Sequence, residues 1–319
     1  MVGVLVIKKL EHLFMNKIRE MLAVHAGVGL KQNGLENVCS QAARSASLDV
    51  VNAVQYLEAD GLSNCGVGSS LTVAGTVECE AGFMTSEKLS FGSVGVLSNS
   101  PHPSILAKKL AMKQLTSDFQ LLPPISVVGN GADLMAQNEE DVPTCSNEEL
   151  ITERAKRLFN KTEDYLHDTV GAISISHKQC GRLGHSVVFG AGVWAEQRAN
   201  RSIGITLTGS GEAIVRARLA QRIAEKVFEM NDESILLSVV SECVTADFLE
   251  SPLLSVFPKS KRKIGGLVAF REEENVELIT FHNVRHLPFA FVENDHVSHQ
   301  LSKLSISESI RFSSYLTHL

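Results

Sequence analysis

The stretch Asp168-Thr169-Val170-Gly171-Ala172 follows a polar, charge-rich segment and opens an apolar, β-prone one near the middle of the chain. A threonine at such a place can become a nucleophile if the peptide bond before it breaks. Its freed α-amino group, with a pKa near ~8, then lies beside its own hydroxyl and can serve as the base that an ordinary threonine lacks. The alternative is a threonine that only opens a buried strand. The Asp168–Thr169 bond is therefore the point from which we interpret the rest of the chain.

The composition is that of an ordinary globular protein. Of the 319 residues, 44% are hydrophobic and 21% are charged, which is enough to bury one large core or two smaller ones. The net charge of −6 and the pI near 6.0 argue against a general nucleic-acid surface, because phosphate binding depends on clustered Lys and Arg. We therefore expect no direct binding to nucleic acid.

The six cysteines lie far apart and never form a CxxC pair, which predicts neither a zinc site nor a small disulfide scaffold and favours a reducing compartment. The apolar stretch Val2–Ile7 is too short for a membrane span of about 20 residues and lacks a small-residue cleavage site. The basic cluster Lys259-Ser260-Lys261-Arg262-Lys263 fits either a nuclear import signal or a solvated loop. We expect a nuclear or cytoplasmic protein with no membrane segment, no metal and no cofactor.

Apolar periodicity predicts strands and helices in blocks. Helices are predicted over 34–58, 107–114 and 212–230, and another of about four turns follows the capping box of Ser146 and Glu149 and ends before the loop 162–168. Strands are predicted at 22–24, 127–128, 170–175, 266–270 and 276–281, and a hairpin over 71–84 is predicted to place one strand on each side of Gly75. The turn at Gly129 and Gly131 lacks the third glycine of a dinucleotide-binding loop, so a tight strand-to-helix turn is favoured.

Several separated motifs resemble one family in its own order along the chain. They are HAGVG at 25–29, NCGVGSSLTVAGTVECEAGFM at 64–84, DTVGA at 168–172, GRLG at 181–184, GAGVWAE at 190–196 and TGSGE at 208–212. This set is similar to the N-terminal-nucleophile hydrolases of the type 2 asparaginase group, and within that group most closely to the threonine aspartases (taspases). The resemblance implies a four-layer αββα sandwich of the α/β (α+β) class and a homodimer of processed αβ units.

The resemblance also implies that the precursor cuts itself between Asp168 and Thr169. In this interpretation residues 1–20 are an N-terminal extension, 21–168 are the α-chain part of the hydrolase domain, with 138–168 as helix and processing loop, and 169–319 are the β-chain part. Thr169 is the nucleophile, and before cleavage the Asp168 carboxylate is the nearest candidate base.

Further site residues are implied by the same motifs. Thr208 and Gly209 match the positions of the oxyanion stabilisers, and the alternative for them is a glycine turn that caps the next helix. Asn64 resembles the asparagine that orients the nucleophile, although Cys65 replaces the usual alanine beside it. Gly211 is counted with the substrate-binding residues.

The specificity prediction rests on two positions. Arg182 matches the arginine that grips the substrate's aspartyl carboxylate, since a guanidinium can meet a carboxylate through two parallel hydrogen bonds; the alternative is an ordinary surface arginine. Three residues on, small-substrate relatives carry an aspartate that binds a free α-amino group, whereas this chain has His185. This difference favours an endopeptidase that cuts protein substrates after aspartate.

One interval departs from the resemblance. Only 13 positions separate Thr169 from Arg182, and relatives have a longer interval that holds a returning strand. Two alternatives therefore stay open beside the endopeptidase. The first is a catalytically impaired or incomplete family member that binds partners or dimerises, and the second is an asparaginase or isoaspartyl dipeptidase that acts on small molecules.

Overall fold

A computed structural model describes residues 3–9, 19–27, 34–46, 49–116, 122–163, 179–231, 233–293 and 296–318. The Asp168–Thr169 bond and the predicted strand 170–175 lie outside the described residues. Within them the strands are β1 Gly3–Lys9, β2 Arg19–His25, β3 Cys79–Met84, β4 Phe91–Leu97, β5 Ser126–Val128, β6 Val193–Arg198, β7 Arg201–Gly209, β8 Ile264–Glu272, β9 Asn275–His282, β10 His286–Glu293, β11 His296–Lys303 and β12 Arg311–His318.

The α-helices of the described residues alternate with these strands in blocks. They are α1 Leu35–Ser45, α2 Val50–Ala59, α3 Pro103–Thr116, α4 Asn130–Asn138, α5 Asn147–Leu150, α6 Glu153–Glu163, α7 Gly211–Ala217, α8 Leu219–Phe228 and α9 Leu236–Cys243. A π-helical turn, Val244–Leu249, continues α9. No helix in this part of the chain has the length and apolar character to cross a bilayer.

Two sheets stack face to face at the centre of the fold. One has the strand order β1-β2-β10-β11 and the other β12-β9-β8-β7-β6, and every pairing in both is antiparallel. A third sheet, β3-β4-β5, pairs β4 with β5 in parallel. The antiparallel neighbours follow from the short connections between consecutive strands such as β8 and β9.

Alternation along β8 shows how the layers are built. Leu267 and Ala269 pack between the two stacked sheets, whereas Val268 and Phe270 pack against the helices α7–α9 on the outer face. Both faces of the strand are covered, so its sequence is an almost unbroken apolar run. The helices α1 and α2 cover the outer face of the other sheet, which confirms the predicted four-layer αββα sandwich.

The predicted helix over 212–230 is two helices in the structure. The apolar residues of α8 recur at helical spacing, and all of them are buried. Arg218, however, adopts a left-handed conformation with φ 45° and separates α7 from α8. The prediction of one long helix was wrong. A left-handed break is usually indicated by a glycine in the sequence, and this one falls at an arginine.

The helix predicted behind Ser146 is also divided. The capping box is confirmed, and the Ser146 amide donates to Glu149 Oε2 at 2.8 Å. A second cap follows at once, since the Ala155 amide donates to Thr152 Oγ1 at 3.2 Å. Thr152 therefore starts α6 afresh after the single turn of α5.

The hairpin predicted around Gly75 does not form. The Thr72 amide donates to the Thr76 carbonyl oxygen at 2.8 Å and closes a tight turn. The side-chain amide of Asn147 then bonds to both the N–H and the carbonyl oxygen of Val77, at 2.9 and 2.8 Å. These are the groups that a partner strand would need, so pairing begins only at Cys79, where β3 joins β4.

The first residues of the chain contribute to the sheet. Residues 1–20 were interpreted as an extension, yet Gly3–Lys9 pair with β2 over seven residues. Leu5 lies in the core between the stacked sheets. The predicted helix over 34–58 is two helices, α1 and α2, and the Asp49 side chain, which accepts a bond from the Val51 amide at 2.8 Å, starts the second one. The helix α3, the strand-to-helix turn into α4 and the β8–β9 pair are confirmed.

The basic cluster contains one buried member, and its removal is expected to destabilise the fold. Arg262 donates to the carbonyl oxygens of Phe257, Ser251 and Leu254 at 3.2, 3.4 and 2.7 Å, and to that of Leu249 at 2.5 Å. We expect Arg262→Met to lower the free energy of unfolding by about 3 kcal/mol, because it leaves buried acceptors unpaired.

Urea unfolding measures this change. The exposed Lys259 of the same cluster provides the control, and Lys259→Met is expected to alter stability by at most about 0.5 kcal/mol. Equal effects of the two substitutions would contradict the structural role of Arg262.

Candidate active site

A cavity of about 960 Å³ opens where the stacked sheets meet β3 and the segment 257–263. Its walls include three residues predicted for the site, Asn64, Arg182 and Gly211. Its other lining residues include acidic and basic side chains, namely Glu78, Glu80, Glu212, Lys261 and Lys263. This combination of a large concavity and mixed charge is typical of a site for a polar ligand.

Arg182 and Glu212 form an ion pair in this cavity. Arg182 Nε donates to Glu212 Oε1 at 2.5 Å, and both side chains are partly exposed. The hydrogen bond from Arg182 lowers the pKa of Glu212, and the same bond raises the pKa of Arg182. The arginine predicted to bind a carboxylate is thus held by a carboxylate of the protein itself, which a ligand can replace.

Gly211 permits this arrangement because it begins α7 directly beside the arginine. A Cβ at Gly211 would lie 3.2 Å from Arg182 Nη2 and 3.2 Å from His185 Nδ1. Any larger residue there would push one of these side chains aside.

Two glutamates of the β3 region hold the loop that carries Arg182. The Gly181 amide donates to Glu78 Oε2 at 2.9 Å, and the Gly184 amide donates to Glu80 Oε2 at 2.7 Å. Ser186 Oγ also donates to Glu80 Oε1 at 3.1 Å. Backbone amides on both sides of the arginine are therefore fixed by charge-assisted bonds.

The structure places His185 in the core and not in the cavity wall. The side chain is 3% exposed, and its Nε2 lies 3.0 Å from the Leu207 carbonyl oxygen. Burial lowers the pKa of His185 from 6.5 to about 4. The imidazole is therefore neutral at pH 7 and supplies no anion three residues after Arg182.

Thr208 and Gly209 end β7 close to, but not among, the cavity-lining residues. Thr208 is buried, and it shares a face of the strand with the lining residue Thr206. Gly209 has φ +149°, and a Cβ there would lie 2.2 Å from the Lys263 carbonyl oxygen. The glycine is thus required by the close approach of β8.

Asn64 is exposed at the cavity, and its Oδ1 accepts a bond from the Ser70 amide at 2.7 Å. Cys65 also lines the cavity, and burial raises the pKa of its thiol, which disfavours the thiolate form that a nucleophile needs. Asp168 and Thr169, predicted for processing and catalysis, lie outside the described residues.

Sequence reasoning assigned no role to Glu78, Glu80 and Glu212, the carboxylates that surround Arg182. All three occur inside the motifs used for the resemblance. Their spacing gave no signal for the site, since Glu78 and Glu80 bond to a loop about 100 positions away and Glu212 bonds to an arginine 30 positions away.

Comparison with known proteins points to one family. The Asparaginase_2 family, described as asparaginase, matches residues 30–172 and 169–241. A probable isoaspartyl peptidase/L-asparaginase of Drosophila pseudoobscura pseudoobscura is 31% identical over 216 residues, covering 58% of this chain and 65% of the relative. An isoaspartyl peptidase/L-asparaginase of Xenopus laevis is 30% identical over 233 residues, covering 65% and 71%. The isoaspartyl peptidase of Salmonella typhimurium is 30% identical over 267 residues, covering 74% and 78%.

These matches are incomplete in length, and the family match is divided. The chain spans 65%, slightly less than two thirds, of the length of the Drosophila relative. The family match is in two parts that both contain residues 169–172. This division falls in the interval between Thr169 and Arg182 that is short in the sequence.

The neutral His185 makes stability depend on pH in a defined direction. Below pH 6.5 the unfolded chain binds a proton on this residue, whereas the folded chain does so only near pH 4. Stability is therefore lost as pH falls through this window, with a contribution from His185 of about 3 kcal/mol. His25, also buried with a lowered pKa, acts in the same direction.

We expect His185→Gln to remove this residue's share of the pH dependence. Urea unfolding at pH 4.5 and pH 7 measures it, as the difference between the two values in wild type and in the variant. The exposed His299→Gln serves as the control and should keep the wild-type dependence. An unchanged dependence in His185→Gln would show that its imidazole is not held neutral.

Proposed function

Since this chain belongs to the Asparaginase_2 family, we propose that it is a self-processing threonine hydrolase that cleaves amide bonds at the side-chain carbonyl of an aspartyl group. L-asparagine and β-aspartyl peptides contain this bond. The names of the three relatives, isoaspartyl peptidase and L-asparaginase, support this substrate class. Hydrolysis of these small substrates was the second alternative in the sequence analysis, and the relatives support it better than they support the endopeptidase.

The observation that carries the proposal is the Arg182–Glu212 pair in the cavity. A substrate α-carboxylate that binds the guanidinium replaces Glu212 at Arg182. The released Glu212 carboxylate is then beside the substrate's α-ammonium group and can bind it. Glu212 thus supplies the anion that His185 does not, and this pair of opposite charges fits a zwitterionic amino acid.

Processing would create the nucleophile from the chain itself. Thr169 Oγ attacks the Asp168 carbonyl carbon, the amide C–N bond breaks, and an ester with a free Thr169 amine results. Water then hydrolyses the ester, which leaves a carboxylate on Asp168 and restores the Thr169 hydroxyl. The Asp168 side chain takes the first proton, because no free amine exists before the cut.

Substrate hydrolysis would repeat the same chemistry. The Thr169 amine takes the hydroxyl proton as Oγ attacks the substrate's side-chain carbonyl, and it passes that proton to the leaving ammonia or amine. Thr208 and Gly209 are the proposed oxyanion donors, each typically worth about 3 kcal/mol of transition-state stabilisation. Water releases aspartate from the ester.

A second candidate is the endopeptidase that cuts after aspartate, with Arg182 binding the aspartyl side chain. The size of the cavity, about 960 Å³, favours it, because a free amino acid fills only part of such a space. The two-part family match keeps a non-catalytic member as a further outcome. The homodimer and the nuclear or cytoplasmic location stay predictions.

Product analysis tests the proposal on three substrates. Purified protein is incubated with L-asparagine, a β-aspartyl dipeptide and a peptide with an internal α-aspartate, and products are read by ammonia release and mass spectrometry. We expect cleavage of the first two and none by Thr169→Ala. Cleavage of only the α-aspartyl peptide would instead establish the endopeptidase, and no product from any of the three would leave a non-catalytic protein.

Arg182→Lys tests the role of the guanidinium group in substrate binding. It keeps the positive charge but loses the planar fork, so we expect KM to rise at least about tenfold with little change in kcat. An equal loss of kcat would show that Arg182 does more than bind the substrate.

A further inference from the structure

The basic cluster 259–263 contains three kinds of side chain. Lys259 forms an ion pair at the surface and is not among the residues that line the cavity. Arg262 is buried and bonds to backbone carbonyl oxygens. The other two basic residues, Lys261 and Lys263, line the cavity of the candidate active site. The cluster therefore brings positive charge to the place where substrate is proposed to bind.

The charges of Lys261 and Lys263 are not neutralised by the protein. Lys261 is exposed and Lys263 is half-buried, and neither amino group forms an ion pair within the part of the chain that the structure describes. The glutamates that line the same cavity bond instead to backbone amides or to Arg182. Two uncompensated amino groups in a concave site attract an anionic group of a ligand.

The backbone that carries both lysines is fixed by Ser210. Its Oγ donates to the Lys261 carbonyl oxygen and accepts a bond from the Lys263 amide at 3.0 Å. The Ser210 amide donates to the Lys263 carbonyl oxygen at 2.8 Å. In addition, Asn283 Nδ2 donates to the Arg262 carbonyl oxygen at 2.8 Å. Because the backbone is already held, binding of an anion has to order only the lysine side chains.

Ser210 also fixes where the lysines lie relative to the rest of the site. It stands between Gly209, a proposed oxyanion donor, and Gly211, which adjoins Arg182. Gly209 approaches the next strand so closely that a Cβ there would lie 2.2 Å from the Lys263 carbonyl oxygen. The segment 209–211 therefore has the guanidinium of Arg182 at one end and the backbone of Lys263 at the other.

This order matches the groups of a β-aspartyl dipeptide. Its aspartyl α-carboxylate would bind Arg182, and the side-chain carbonyl that is attacked would lie at the oxyanion donors. The leaving amino acid follows that carbonyl, and its carboxylate is the next anion along the substrate. Two residues span at most about 7 Å, and the flexible four-carbon stem of a lysine adapts to such a separation. L-asparagine releases ammonia and has no second carboxylate.

We propose that Lys261 and Lys263 form a subsite for the C-terminal carboxylate of the leaving amino acid, which favours β-aspartyl dipeptides with a free C-terminus over L-asparagine. This inference rests on the proposed function and specifies its substrate. Phe257 precedes the cluster, lines the same cavity and is half-buried. Its ring offers an apolar surface to the leaving residue, so β-aspartyl-leucine is the probe that we choose.

Three substrates test the subsite in wild type and in the double variant Lys261→Met, Lys263→Met. They are β-aspartyl-leucine, its C-terminal amide and L-asparagine. In wild type we expect KM to be about tenfold higher for the amide than for the free acid, with little change in kcat, because the amide lacks the charge that the lysines bind. In the double methionine variant this preference is expected to disappear, and the KM ratio of β-aspartyl-leucine to L-asparagine to rise about tenfold.

Two matched variants separate charge from structure. Lys261→Arg combined with Lys263→Arg keeps both charges and is expected to retain the preference for the acid over the amide. Lys259→Met removes a charge of the same cluster outside the cavity lining, and both KM ratios are expected to stay within about twofold of wild type. The preference for the acid in wild type is expected to weaken as sodium chloride is added, because salt screens exposed charges. Circular dichroism verifies that all variants are folded.

The outcomes distinguish the subsite from the proposed function. If β-aspartyl-leucine is cleaved and the double methionine variant keeps the wild-type preference for the acid, the subsite is refuted and the proposed function stands. If wild type does not cleave β-aspartyl-leucine, the proposed function fails for this substrate, and the intact dipeptide then serves as ligand in a calorimetric titration. Binding that is about tenfold weaker in the double methionine variant would support the subsite in that case, whereas equal or absent binding would overturn it.

Discussion

The site depends on the carboxylate of Glu80, which joins β3 to the loop of Arg182. It accepts bonds from the Gly184 amide at 2.7 Å and from Ser186 Oγ at 3.1 Å. A Cβ at Gly184 would lie 2.1 Å from Glu80 Oε1, so the loop can approach only because that residue is glycine. The positions of Arg182 and His185 follow from this contact.

Two side chains on that loop, His185 and Arg182, differ in burial and in charge. His185 is taken into the core and stays neutral, whereas Arg182 stays in the cavity with Glu212 as its counterion. The absence of an anion at His185 favoured a polypeptide substrate at the level of sequence. The carboxylate of Glu212, the second residue of α7, can bind an α-ammonium group, which supports the proposal that small aspartyl amides are the substrates.

The layers of the fold were predictable, whereas their interruptions were not. The apolar runs of β8 and β9 predicted a strand pair, and the motifs implied the αββα order. The break at Thr152 was missed because it depends on a second helix cap only two residues after α5 ends. The break at Arg218 was missed because an arginine in the sequence does not indicate a left-handed backbone conformation. Of the predicted site residues, Asn64, Arg182 and Gly211 line one cavity, but the glutamates around Arg182 depend on contacts distant in sequence.

The central claim is that the Asp168–Thr169 bond is cut by the chain itself, and intact-mass analysis with N-terminal sequencing of the purified protein tests it most directly. We expect two fragments, one of which begins at Thr169, to accumulate from wild type and from Thr169→Ser, and none from Thr169→Ala. A folded wild-type chain that keeps its full mass of 34.6 kDa would contradict self-cleavage at this bond.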